Sequence, residues 1–225
     1  MNVFLHETLD PVPRPGAHTR YLEELGHVVE TEGNAKGSAG GRCIAAWVPV
    51  FLTGRWPQIV TFWQMPGGWD GFGAHFDATP DLFHEPLERW YDERSGGMDR
   101  VLIGADYAPD LDRIVAEAWR APVVLQETVT LRPGEAGDYL HALGEAGGAL
   151  DPAGGVRLVG GYEVAFRRGS EVIVLWAFDD FATLARTRRD PEGHAGLARW
   201  NAQARELELA HTAVVLRPTT WSPLR

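Results

Sequence analysis

Two neighbouring residues near the N-terminus, His6 and Glu7, carry side chains that can transfer protons. Histidine titrates near neutral pH, and a buried glutamate with a raised pKa can serve as a general base. Both lie in a short apolar run that predicts a β-strand, in which adjacent side chains point to opposite faces of the sheet. His6 and Glu7 are therefore separate candidates for catalysis and are not expected to contact each other.

The same local sequence recurs in the middle of the chain, where Gln126 and Glu127 take the places of the histidine and the glutamate. A glutamate in both copies favours a structural role, such as pairing with Arg14 or Arg132 in the Arg-Pro-Gly turn that follows each strand. Only the first copy carries a histidine, and glutamine does not titrate. The first half of the chain is therefore the better candidate for an active site.

A third candidate for proton transfer, His75, lies in the segment 63–83, which combines five large aromatic residues with four glycines. This composition is typical of a loop that closes as a lid over an apolar ligand, and equally of an Ω-loop packed by its own side chains. Aromatic side chains of this segment, of the strands and of the first helix are suited to the walls of a pocket. The candidate substrate-binding residues are Tyr21, Trp47, Trp63, Trp69 and Phe72.

A repeated motif indicates that these candidates lie in a duplicated unit. Residues 14–26 and 132–144 both fit the pattern R-P-G-x4-Y-L-x2-L-G, and residues 87–90 and 197–200 both fit L-x-R-W. The distance between the copies is far above the period of solenoid repeats. The sequence therefore predicts two related halves rather than a stacked array.

Each half is predicted to have the order β-α-β-β-α-β, which is the ferredoxin-like order. Runs of β-branched and aromatic residues predict strands, and apolar residues at helical spacing predict helices. The predicted elements of the first half cover residues 3–8, 16–28, 43–52, 58–65, 85–94 and 100–104. Those of the second half cover residues 123–129, 135–146, 156–167, 171–178, 180–188, 195–206 and 212–216. The resulting organisation is a first half at 1–108, a connecting helix within 109–121 and a second half at 122–225.

The composition argues against several classes of function. The net charge is −10 and both halves are acidic, so we expect no nucleic-acid partner. Cys43 is the single cysteine, which excludes an intramolecular disulfide and a multi-cysteine zinc site. We expect no metal site, because the histidines show no recognisable ligand spacing. We expect no membrane partner and a cytoplasmic location, because the chain shows neither a long apolar run nor a signal peptide.

The order of elements, the duplication and the aromatic content resemble the dimeric α+β barrel superfamily, and within it the NIPSNAP-like proteins with two tandem domains. The resemblance implies an α+β fold in which two tandem ferredoxin-like halves pack as an intrachain α+β barrel. Such a pseudo-dimer can be a monomer, and a homodimer is also compatible with it. The superfamily includes cofactor-independent monooxygenases, polyketide cyclases, lactone isomerases and haem enzymes such as chlorite dismutase.

The resemblance and the residues together suggest a small-molecule enzyme without a cofactor. Its expected substrate is an apolar aromatic or polyketide-like molecule, as in natural-product biosynthesis, and its reaction a cyclisation, isomerisation, dehydration or oxygenation. His6, Glu7 and His75 are the expected catalytic residues. One alternative is a haem-binding enzyme of the same superfamily, with His75, His84 or His194 as the ligand. A non-catalytic module that binds apolar ligands is another.

Overall fold

The computed structural model describes residues 1–33, 41–78, 92–190 and 193–225. The strands in this part of the chain are β1 Val3–Pro11, β2 Arg42–Pro49, β3 Ile59–Met65, β4 Arg94–Gly104, β5 Val123–Thr130, β6 Val156–Val164, β7 Glu171–Phe178 and β8 Ala210–Pro218. The α-helices are α1 Ala17–Val28, α2 Gly68–Ala78, α3 Leu111–Ala116, α4 Ala136–Gly148, α5 Phe181–Arg189 and α6 Ala195–Leu207. A π-helical turn at Val29–Gly33 extends α1, and a 3-10 turn lies at Pro152–Gly154.

Each half contributes four antiparallel strands, and the two sheets close into one barrel with the order β1-β3-β2-β8-β5-β7-β6-β4. Two short junctions join the halves. At one junction Trp47–Pro49 of β2 pairs with Leu216–Pro218 of β8, and at the other Leu102–Gly104 of β4 pairs with Tyr162–Val164 of β6. The predicted fold, two ferredoxin-like halves packed as an intrachain α+β barrel, is confirmed.

The interior of the barrel is filled by aromatic side chains from both halves. The ring of Phe62 stacks on Phe4 at a centroid distance of 5.2 Å and on Trp47 at 6.2 Å. Tyr162 of the second half meets Phe62 edge to face at 5.0 Å. Because side chains alternate along a strand, these residues occupy the inner positions, and the outer positions face the helices.

The outer faces of the two sheets are covered by equivalent helices. In the first half, Leu9, Cys43 and Ile59 pack with Tyr21 and Leu25 of α1. In the second half, β5 and β7 pack against α4 and α6 through a larger apolar cluster, whose members include Val129, Trp176, Tyr139, Leu143 and Trp200. Burial against the sheet therefore explains why the repeated motif keeps its tyrosine and its second leucine.

The structure corrects the prediction that the segment 63–83 is a loop. Strand β3 continues through Met65, and α2 begins at Gly68. The turn before α2 uses positive φ angles at Gly67 and Gly68, and a Cβ at Gly71 would overlap the carbonyl oxygen of Pro66. The glycines thus permit a tight helix start rather than a flexible loop. Residues 79–83 lie outside the described residues.

Strands β1 and β4 of the first half are longer than predicted. The structure extends β1 to Pro11, although three prolines follow Leu9, and it starts β4 at Arg94 rather than at residue 100. Residues 92 and 93 form a turn, so the helix predicted at 85–94 does not reach its predicted end. The remainder of that helix lies outside the described residues.

Candidate functional site

The structure places His6 inside the barrel, where it contacts its own repeat equivalent. His6 is fully buried, and its Nε2 lies 2.8 Å from Oε1 of Gln126. Its Nδ1 has no hydrogen-bond partner among the described residues. Trp47, also fully buried, faces the same interior. His6 and Gln126, which occupy the same position in the two copies of the first strand, therefore meet inside the barrel.

Burial lowers the pKa of His6 to about 4, with a smaller contribution from Arg100 in the same direction. Because the pKa of His6 is lower in the folded than in the unfolded state, protonation favours unfolding. The free energy of unfolding should therefore fall as the pH drops from 6.5 towards 4. The loss between pH 7 and pH 4 should be about 3 kcal/mol. His6→Gln should remove this part of the pH dependence, measured by urea unfolding of both proteins at the two pH values. Equal pH dependence of the two proteins would contradict it.

Glu7 lies on the outer face of the first sheet, beneath α1, on the side of the strand opposite to His6. Its Oε2 accepts hydrogen bonds from Thr61 Oγ1 at 2.5 Å and from the indole N–H of Trp63 at 2.9 Å. Burial raises the pKa of Glu7, and the hydrogen bond from Thr61 opposes this shift. The pKa of Tyr21 is raised by burial and by the neighbouring Glu7.

Residues of α2 form a third group, away from both His6 and Glu7. The rings of Trp69 and Phe72 meet edge to face at 5.5 Å, and Trp69 also contacts Phe166 at 6.0 Å. His75 lies in the last turn of the same helix and is partly buried. The predicted site residues thus occupy three separate places, and their assignment to catalysis stays a prediction.

The second half repeats the arrangement around Glu7. Glu127 lies at the equivalent position of β5, and its Oε2 accepts a hydrogen bond from the indole N–H of Trp176 at 2.8 Å. The predicted pairing of these glutamates with the Arg-Pro-Gly turns is wrong. Arg14 instead pairs with Glu93, and Arg132 with Glu135, because both arginines project from the ends of the strands.

Glu127 differs from Glu7 in having an imidazole and a guanidinium close to its carboxylate. Nε2 of His211, on β8, lies 3.2 Å from Glu127 Oε1, and the Arg188 guanidinium lies 3.8 Å from the same oxygen. His211 is opposite Val129 in the sheet, and the equivalent position opposite Leu9 in the first half is Gly97. The described part of the first half therefore has no imidazole at the corresponding position.

The Glu127–His211 pair lies in a cleft of about 380 Å³ between the outer face of the second sheet and helices α5 and α6. This volume falls within the range of small-molecule sites. Apolar side chains form much of its wall: Leu125, Trp176, Phe178, Leu197 and Trp200. Tyr139 packs on Trp200 at 5.1 Å and donates to Glu208, which also lines the cleft, at 2.8 Å.

The electrostatics of the cleft favour a histidine that can exchange protons with a ligand. The pKa of His211 is raised, chiefly by its hydrogen bond to Glu127. When its Nε2–H donates to this carboxylate, the neutral imidazole keeps Nδ1 as a proton acceptor. One third of the His211 side chain is exposed, at 34%, whereas Glu127 is 12% exposed. The dyad is therefore accessible from the histidine side.

Residues 127–223 match the family model described as NIPSNAP. The match spans most of the second half of the chain. Every residue of the cleft named above except Leu125 lies within the matched range. No curated protein matches the chain in sequence.

Solved structures share the whole fold at low sequence identity. An anthrone oxidase-like protein is 12% identical, with a TM-score of 0.67 over 97% of this chain and 91% of that one. A putative monooxygenase from Lactobacillus acidophilus NCFM is 9% identical, with a TM-score of 0.61 over 96% and 93% of the two chains. Chlorite dismutase from Candidatus Nitrospira defluvii is 10% identical, with a TM-score of 0.50 over 96% and 91%. These neighbours show that both halves of the chain share the α+β barrel fold of known proteins.

The structure places the histidines considered as haem ligands in different surroundings. His194 lies in an open, polar pocket with Arg186, Arg189 and Asp190. His75 lies on α2, outside the cleft of the second half, and His84 lies outside the described residues.

Two further features are absent from the described ranges. No group of three or more His, Cys, Asp or Glu side chains there is arranged to hold a metal ion. No helix in the same ranges has the length and apolar character needed to cross a bilayer.

Glu127 was singled out from the sequence and Trp200 belongs to a repeated motif, but His211 and Arg188 were missed. The last strand was predicted to start at residue 212, whereas β8 begins at Ala210. A strand that includes His211 places it, by alternation, on the face that carries Glu127 in the neighbouring strand. A strand start two residues earlier would therefore have indicated the Glu127–His211 pair.

Proposed function

We propose that the protein is a cofactor-independent enzyme that removes a proton from an apolar aromatic or polyketide-like substrate in the cleft of its second half. The observation that carries this proposal is the 3.2 Å contact between His211 Nε2 and Glu127 Oε1 beside the aromatic wall of Trp176, Phe178 and Trp200. Imidazole is the most common general base in enzymes, and a carboxylate on its second nitrogen fixes its tautomer.

Proton removal is the step that the expected reaction types share. Isomerisation, cyclisation, dehydration and cofactor-free oxygenation of such substrates can each begin with loss of a proton to give an enolate or phenolate. Flat aromatic walls bind substrates of this shape by dispersion and by exclusion of water. The anthrone oxidase-like neighbour has a name that suggests the same substrate class, and it guides the choice of the first compounds.

Within the cleft each polar side chain has a distinct role. His211 accepts the substrate proton, and Glu127 orients the imidazole and stabilises its protonated form. Trp176 donates to Glu127 and so holds the carboxylate in place. Arg188, close to Glu127, adds positive charge at the side of the cleft where a substrate oxyanion would form.

The test begins with protein dialysed against a chelator, its absorbance spectrum from roughly 300 to 700 nm, and its native mass. Flat hydroxyaromatic and polyketide-like compounds are then incubated with it in air, and substrate loss, product and oxygen uptake are measured. The proposal expects turnover by a colourless protein at the bare chain mass. A Soret band with added mass, or no turnover and no binding across the compounds, would overturn it.

The duplicated chain supplies a matched pair of variants for the same assay. Glu127→Gln should lower turnover, whereas Glu7→Gln, at the equivalent position of the first half, should leave it unchanged. The opposite result would place the reaction in the first half, where the sequence analysis expected it. Thermal unfolding of both variants shows whether either loss of activity is a loss of folding.

A further inference from the structure

A second cleft lies where the connecting segment crosses the second half. This cleft, here called the linker groove, has a volume of about 480 Å³. It is bounded by the segment 113–120, by the C-terminal turns of α4, and by the start of β6. None of its lining residues belongs to the cleft that contains His211.

One arginine of the linker groove is held in place by an aromatic ring. The guanidinium carbon of Arg157 lies 4.9 Å from the ring centroid of Trp119, and that of Arg113 lies 5.5 Å from it. The Trp119 indole N–H donates to Glu117 at 2.7 Å, and Glu117 also accepts from Arg113 Nε at 3.0 Å. These contacts restrict Arg157 without occupying its N–H donors.

The linker groove carries three arginines and two acidic side chains, and Arg157 lies close enough to Glu117 to help lower its pKa. Arg113 balances Glu117, whose pKa is lowered by the hydrogen bonds from Trp119 and Arg113. Within the described chain, the side chains of Arg120 and Arg157 make no ion pair and no hydrogen bond. Asp179 is the remaining acidic side chain on the lining, so the groove has a net positive charge in a protein of net charge −10.

We propose that the linker groove binds a small oxyanion, a carboxylate or a phosphate, between Arg120 and Arg157. A guanidinium offers a planar fork of N–H donors that matches these groups, and a fork already stacked on a ring loses little freedom on binding. The C-terminal turns of α4 also line the groove, and their carbonyl groups repel an anion. The ligand is therefore confined to the side of the groove that carries the arginines.

Binding there would connect the segment between the halves to β6 of the second half. Arg120 belongs to the connecting segment, and Arg157 to β6. An oxyanion that contacts both ties the two together, so it should raise the unfolding temperature in proportion to its occupancy. This site is independent of the proposed catalytic cleft.

The test is calorimetric titration of the intact protein with inorganic phosphate and, separately, with benzoate, at constant ionic strength set by sodium chloride. Saturable binding of at least one probe is expected, and the comparison of the two distinguishes a phosphate ligand from a carboxylate. Arg157→Gln should weaken binding at least tenfold, and Arg120→Gln should weaken it in the same direction.

The matched control is Arg217→Gln, because Arg217 also stacks on an aromatic ring, that of Phe181 at 5.9 Å, outside the linker groove. This variant should bind both probes as the unchanged protein does. Failure of both probes to bind, or binding that survives Arg157→Gln in a folded protein, would overturn the proposal. Loss of binding in Arg217→Gln to the same extent would show a nonspecific charge effect and would overturn it as well.

Discussion

Replacing His211 with Asn is expected to lower kcat by about 10²- to 10⁴-fold, the usual contribution of a general base. Asparagine keeps a polar side chain of similar reach but has no group that accepts a proton near neutral pH. The side chain is 34% exposed, so the substitution should not prevent folding. The measurement is kcat and KM on the first substrate found, with unfolding temperature as the check on the fold.

The matched control for His211→Asn is His141→Asn. His141 also lies near a glutamate, with Nε2 3.7 Å from Glu145 Oε1, but it is 79% exposed on α4 and does not line the cleft that contains Glu127. Its replacement should leave kcat unchanged. A His211→Asn protein that retains most of its kcat would remove His211 from the mechanism, whatever the result at His141.

The pKa of His211 gives a direct check of the dyad that needs no substrate. Because the hydrogen bond to Glu127 is the largest cause of the raised pKa, Glu127→Gln should lower it. An NMR titration of the imidazole in the two proteins measures this. In the unchanged protein, the proposed activity should rise with pH through the raised pKa of His211, since the base acts in its neutral form.

Replacing Phe62 with Ala is expected to cost about 3 to 5 kcal/mol of unfolding free energy, the usual cost of removing a buried ring. Phe62 is 1% exposed, and its ring contacts Phe4 and Trp47 of its own half and Tyr162 of the other half. For a chain of this size the unfolding temperature should fall by roughly 6 to 20 °C. Urea unfolding measures the free energy.

The control for Phe62→Ala is Phe166→Ala, since Phe166 is 81% exposed. Its removal should change the unfolding free energy by no more than about 0.5 kcal/mol. If Phe62→Ala lowers the unfolding free energy by less than about 1 kcal/mol, packing in the barrel interior contributes little to the stability of the protein.

The fold could be predicted because its determinants are local and occur twice. The motif at 14–26 and 132–144 repeats helix and turn residues in the same register, and alternating apolar residues mark the strands that follow. The segment 68–78 was predicted to be a loop because glycines disfavour a helix on average. At Gly71 the close approach of the Pro66 carbonyl decides the conformation, and no local pattern shows it.

The candidate site could be predicted only in part. Glu127 stood out because both copies carry a glutamate at this position, and its hydrogen bond from Trp176 joins adjacent strands. His211 and Glu127 are distant in sequence and come into contact because β8 pairs with β5. The pairing register that brings them together depends on where β8 begins, and strand boundaries are the least certain feature of a sequence-based prediction.

The contact between His6 and Gln126 shows what the fusion of two halves permits. In an isologous dimer of identical subunits, the residues facing each other across the axis must be identical. Here one side of the former axis holds an imidazole and the other an amide, 2.8 Å apart. The covalent chain has released the two copies from symmetry, so one half can change without forcing the same change on the other. A histidine on β8 and a glycine at its counterpart on β4 are the outcome of that freedom.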